Sequence, residues 1–208
     1  MNDNISSYFR LSVNMKKYFF FFLTSIFLSL VLSAQELQVK VTYVTEDATE
    51  KKPLIYYSPL VKLTWADFKG KPVLSSNAAA ITNAGIGFKM TFHSQDNVTT
   101  LYLTVNCNFY ISDSWVKDGK RTPYILNHEQ HHFDVSYIAA GIFMNKIKNT
   151  VLTTSNCNLL LQRVYKDCCD IMNKMQDDYD GQTMNGQLEE KQQKWNIFFS
   201  DKLPLFTK

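Results

Sequence analysis

Five consecutive residues, His128-Glu129-Gln130-His131-His132, carry the strongest chemical signal in the chain. The pattern is His-Glu-x-x-His. On a helix, side chains at positions i and i+4 share a face, so the imidazoles of His128 and His132 can converge on one cation. Glu129 sits about 100° further round the helix, close enough to hold a water beside that cation without binding it. Two nitrogen ligands, one carboxylate base and an open coordination position are what a catalytic zinc site requires. The expected cofactor is therefore Zn2+, with His128 and His132 as ligands and Glu129 as general base. The plainer alternative is a core helix whose histidines are merely buried and hydrogen-bonded. A helical pair of histidines with a glutamate beside the first favours the metal. His131, three residues after His128, can in principle share its face. It is expected either to support the ligands or to lie at the surface.

Such a pair works only on a rigid helix. Thr122-Pro123 precedes the motif, a good N-cap followed by a good first helical residue. From Tyr124 to about Lys148 there is one glycine, Gly141, and no proline. Phe133, Tyr137, Ala140 and Met144 recur at the spacing of a buried stripe. The motif thus falls in the first turns of a long helix. A second helix is expected from Ser155-Asn156, with Leu160, Val164, Cys168, Ile171 and Met175 inward and a stop at Gly181. A third is expected from about Gln187 to Ser200, with Leu188, Gln192, Trp195 and Phe199 on one face and Pro204 beyond it.

A catalytic zinc site usually takes a third protein ligand. The only histidine outside the motif helix, His93, falls on the polar face of a strand and reads as exposed. The carboxylates near the end of the second helix, Asp177, Asp178 and Asp180, are the best remaining source. Their bland alternative is a solvated helix end.

The front half reads as strands. Leu37, Val39, Val41 and Tyr43 alternate with polar residues, as do Ile86, Phe88, Met90 and Phe92. Leu101 to Phe109 alternates again after a polar turn at Ser94 to Asn97, which predicts an antiparallel hairpin. Trp65 and Phe68 read as core anchors before a break at Gly70–Pro72. Residues 113–120 read as a polar connection to the motif helix. Strands first and helices after predict an α+β fold: a small antiparallel sheet followed by three helices, zincin-like, with the motif on the first long helix.

Lys16-Lys17, an apolar run from Tyr18 to Leu32 and small residues at Ser33-Ala34 make a secretory signal peptide. Met15 is an alternative start. The run falls short of the about 20 residues that a membrane span needs, so no stable span is expected after cleavage. Residues 1–34 are assigned to the signal and 35–208 to one domain, exported to the periplasm or beyond. The signal carries three of the 22 basic and one of the 19 acidic residues, which leaves the remainder nearly neutral. No basic block tracks phosphates, so nucleic acid is not an expected partner. Four cysteines follow, Cys107, Cys157, Cys168 and Cys169. Export permits oxidation, and four cysteines allow three pairings. Cys107 alternates in phase with the apolar strand residues and reads as a thiol on the sheet.

The chain resembles a family of bacterial secreted proteins, the domain of unknown function nine-twenty-two, regarded as zinc-dependent proteases. The resemblance rests on Trp65-Ala66-Asp67-Phe68-Lys69-Gly70-Lys71-Pro72, Ser114-Trp115-Val116, the string Leu126 to Asp134, Tyr179-Asp180 with Thr183, and Gln193 with Trp195. It implies a secreted zinc-dependent metallopeptidase acting on a peptide or protein substrate. The family's later motif runs Tyr-Asp-x-x-Thr-x-His-Gly. Tyr179, Asp180, Thr183 and Gly186 match it, and Asn185 replaces the histidine. If that histidine is the family's third ligand, this chain has lost it. If the aspartate is, the site is intact through Asp180, the assignment adopted here. Tyr179 then becomes a candidate oxyanion donor or ligand support, with Asn185 beside it. Tyr137 stands where many relatives carry a carboxylate. These departures keep two alternatives open: an exported, catalytically inactive zincin-like binding protein, and a zinc amidase acting on cell-wall peptides.

Overall fold

The computed structural model describes residues 37–206. The expected signal at 1–34 and the alternative start at Met15 lie outside the described residues. The described residues form one compact unit. The strands are β1 (Gln38–Tyr43), β2 (Leu54–Tyr56), β3 (Ala80–Ile81), β4 (Ala84–Gln95), β5 (Val98–Tyr110) and β6 (Trp115–Val116). The helices are α1 (Pro123–Lys148), α2 (Cys157–Thr183) and α3 (Glu189–Lys202), with 3-10 turns at Trp65–Asp67 and Leu203–Phe206. The α+β class and the order of elements are those the sequence predicts.

The predicted hairpin is the spine of the sheet. β4 and β5 pair from Ala84↔Phe109 to Gln95↔Val98. Asp96 and Asn97 make the turn with φ of 52° and 65°. Two left-handed residues in a two-residue loop match the twist of the flanking strands. The other edge of β5 is shared end to end: β1 pairs with residues 100–105 and β2 with 108–110.

One expectation is corrected here. The sheet is mixed, because β1 runs parallel to β5, with Gln38 opposite Thr100 and Tyr43 opposite Val105. Alternation fixes which face of a strand is buried but not its direction. The long connection between the two strands permits the parallel arrangement, which a tight turn does not. A second correction concerns residues 113–120. Trp115 and Val116 form β6, paired with β3 and buried, rather than a wholly polar connection.

Leu101, Leu103, Val105, Cys107 and Phe109 are fully buried on one face of β5. Burial of each Leu, Val or Phe contributes about 1.5–3 kcal/mol. Helix α1 lays its predicted stripe on that face. Tyr137 stacks on Tyr57 at a ring distance of 4.1 Å, and Phe133 meets Phe109 at 5.8 Å. Phe68 is buried against Phe109 and Trp65 packs at the edge of the same cluster. The opposite face of α1 carries Val135 and Ile138, which pack on Tyr179 of α2 and Phe199 of α3. From His128 to Ala140 every residue of α1 is buried except the half-buried His132. The motif is thus held between a sheet and two helices.

Helix α2 does not stop at Gly181, as the sequence suggests, but continues to Thr183. No atom outside its own helical turns crowds Gly181, so the glycine fits a helix without ending it. The chain leaves through Met184, Asn185 and Gly186, with φ of 50°, 53° and 77°. All four cysteines of the described residues are free thiols, Cys107 among them. No helix among the described residues is long and apolar enough to cross a membrane.

Candidate metal centre

Helix α1 begins as its sequence requires. Thr122 caps it by accepting from the Ile125 amide at 3.1 Å, and Pro123 occupies the first position. One turn later the imidazoles of His128 and His132 meet edge to face, with their Nε2 atoms 3.2 Å apart. Asp180, from the last turn of α2, closes the triangle. Its Oδ1 lies 3.1 Å from each Nε2. His128, His132 and Asp180 form a group that can hold a metal ion.

The geometry fits such an ion. A tetrahedral site with bonds of about 2.0–2.1 Å places its ligand atoms about 3.3 Å apart, close to the observed triangle. Tautomers fit as well. His128 Nδ1 faces the side-chain carbonyl of Gln192 at 3.0 Å, and His132 Nδ1 faces that of Gln176 at 2.5 Å. A carbonyl only accepts, so both Nδ1 atoms carry hydrogen. Both rings therefore turn Nε2 toward Asp180. Two nitrogen lone pairs and a carboxylate oxygen at this range repel one another unless something positive lies between them.

Electrostatics point the same way. Burial pushes the Asp180 carboxyl up, but the imidazoles of His128 and His132 beside it override this and hold the group well below the usual carboxylate range. Burial pulls His132 down, yet its hydrogen bond to Asp180 and the charges of Glu129 and Asp180 push it up to about 8. The cluster is built to hold a positive charge.

Glu129 is 4 % exposed, and its Oε2 is buried with no hydrogen-bond partner. A buried carboxylate oxygen without a donor is costly. The backbone carbonyl of Glu129 accepts from the Thr82 hydroxyl, which ties the motif to the link between β3 and β4.

The other predicted residues fall as follows. Asp177 is exposed, and Asp178 pairs with Lys174 on the helix surface. Neither joins the centre. Asn185 is exposed in the left-handed turn, where its backbone amide donates to the Asp180 carbonyl. Tyr179 is fully buried and stacks on the His128 ring at 4.6 Å. Burial keeps its hydroxyl protonated, and the hydroxyl is engaged with Gln192 and the His128 carbonyl. Next to it, Gly186 brings its backbone so near the His128 ring that a β-carbon would sit 3.2 Å from it.

His131 is buried and is not a ligand. Its Nδ1 lies 2.7 Å from Asp134 Oδ2 and its Nε2 lies 2.9 Å from Asn196 Oδ1. The ring thus bridges Asp134 on its own helix and Asn196 on α3. Asp134 Oδ1 also accepts from Tyr57 and Gln130. Asn196 accepts in turn from Gln192, whose carbonyl holds His128. A continuous hydrogen-bonded path therefore runs from the sheet side of α1 to the ring of His128. Gln176, Gln192 and Asn196 hold the three imidazoles, and the sequence assigns none of them to the site.

Comparison with family models, with curated proteins and with solved structures finds no match.

Proposed function

We propose that the chain is an exported zinc-dependent metallopeptidase acting on a peptide or protein substrate. The observation that carries this reading is the triangle of His128, His132 and Asp180 beside a buried glutamate with an unpartnered oxygen. His128, His132 and Asp180 would hold the zinc, which would supply Lewis acidity toward a substrate carbonyl and a water. Glu129 takes a proton from the attacking water on its free oxygen and returns it to the leaving amine. His132 and Asp180 face the accessible side, with 13 % and 39 % of their side chains exposed, whereas the path through His131 and Asp134 lies behind them. Three donors are present without position 185, so Asn185 removes nothing from the triangle. The apolar run at 18–32 supports export.

The test is Glu129→Gln in the purified protein. Zinc stays near one equivalent and peptide hydrolysis falls to background, because the base is lost while the ligands remain. Undiminished hydrolysis overturns the mechanism. A wild-type protein that binds no zinc overturns the metallopeptidase itself and leaves the inactive binding protein. Cleavage confined to cell-wall peptides selects the amidase.

A further inference from the structure

Each ligand histidine is gripped at two points, its ring Nδ1 and its own backbone carbonyl. For His132, one side chain does both. The Gln176 carbonyl takes the ring Nδ1–H at 2.5 Å while the Gln176 amide nitrogen donates to the His132 carbonyl at 2.9 Å. For His128 the same two duties are divided. Gln192 takes the ring Nδ1–H at 3.0 Å, and the Tyr179 hydroxyl reaches the backbone carbonyl at 3.3 Å. Resting on the metal-centre reading, we propose that Gln176 is a positioning residue, a two-point clamp that fixes the tautomer and rotation of His132 toward the metal.

The chemistry of the clamp demands an amide. One end must accept from a ring N–H and the other must donate to a backbone carbonyl, which can never donate back. Glutamate has the same length and shape but no donor. At position 176 it sets a carboxylate oxygen against the His132 carbonyl. A carboxylate behind a metal-bound histidine ordinarily raises ligand basicity and tightens the site. Here repulsion from the backbone carbonyl opposes that gain, and the ring loses its fixed orientation. Gln176 lies one helical turn before Asp180 on α2, so the segment that supplies the third ligand also aims the second. Disturbing outer partners of metal ligands typically costs about 10–100-fold in affinity.

The experiment is a cobalt titration of the full chain, followed by visible absorption and calorimetry, for wild type, Gln176→Glu and Gln182→Glu. Gln182 is exposed near the same helix end and accepts from the Trp195 indole. Glutamate there adds an equal charge without touching the clamp. Expected are a loss of about 10–100-fold in affinity and an altered cobalt spectrum at saturation for Gln176→Glu, with wild-type affinity or tighter for Gln182→Glu. If Gln176→Glu does not fold, Gln176→Met, which removes both contacts without adding charge, shows the same loss and spectral change. Equal or tighter binding with an unchanged spectrum in a folded position-176 variant overturns the clamp and leaves the metal centre standing. No cobalt binding by wild type overturns both.

Discussion

His128 and His132 present their Nε2 atoms to each other at 3.2 Å, with Asp180 Oδ1 equidistant from both. Three electron-rich atoms share one small space, and each ring is turned there by a glutamine carbonyl behind it. The ligand role of Asp180 is open to direct test. Asp180→Asn removes the charge and keeps the size, and metal affinity should fall by more than the about 10–100-fold typical of an outer partner. Asn185→Gly, which keeps the left-handed turn and deletes the side chain, should leave metal content unchanged. Metal analysis of the two purified variants decides whether the aspartate or the neighbouring turn is the third donor.

Acid should compete with the metal. The metal takes the deprotonated His132 ring, whose pKa in the metal-free protein is about 8. Apparent affinity should climb about tenfold per pH unit up to roughly pH 8 and flatten above it. Metal-free stability follows the opposite course. The raised pKa adds stability that is full below the unfolded histidine value, about 6.5, and is lost as pH rises through about 8. Melting curves across pH 6 to 9, with and without metal, should therefore diverge as the pH rises.

The unpartnered oxygen of Glu129 has a cost of its own. Replacing the residue by methionine removes a buried acceptor that nothing satisfies, and the metal-free protein should gain about 1–3 kcal/mol. Hydrolysis should be lost in the same variant. Thermal denaturation set beside an activity assay reads both effects, and a drop in stability would mean that Glu129 has a structural partner.

Asp134 supports the rear of the motif helix. Asp134→Ala leaves His131, Tyr57 and Gln130 facing an empty acceptor position. Each buried donor left without its acceptor costs about 1–3 kcal/mol. Denaturant melts should show that loss. Tyr57→Phe, which deletes one of the donors to Asp134 Oδ1, should cost about 1 kcal/mol.

Local signals were legible in the chain. The cap at Thr122-Pro123, the stripe of Phe133, Tyr137 and Ala140, and the alternation that makes the hairpin each act within a few residues. Directions and short pairings were not. β1 is parallel only because of where a distant chain segment returns, and β3 and β6 are two residues each, created by one another. The clamp residues had a fainter trace. Gln192 stands in an otherwise apolar stripe with Trp195 and Phe199, and a glutamine buried there must have partners to hydrogen-bond. Gln176 had no such mark, because its partner lies 44 residues away.

Asp180 stands 52 residues beyond His128 and on a different helix. A cation in the triangle is therefore also a rivet, joining the tail of the molecule to its sheet-backed half. Chelation should loosen the segment after α2 before anything else gives way. Trypsin should then nick the lysine-bearing stretch from Lys191 to Lys202 in stripped protein while sparing it in loaded protein.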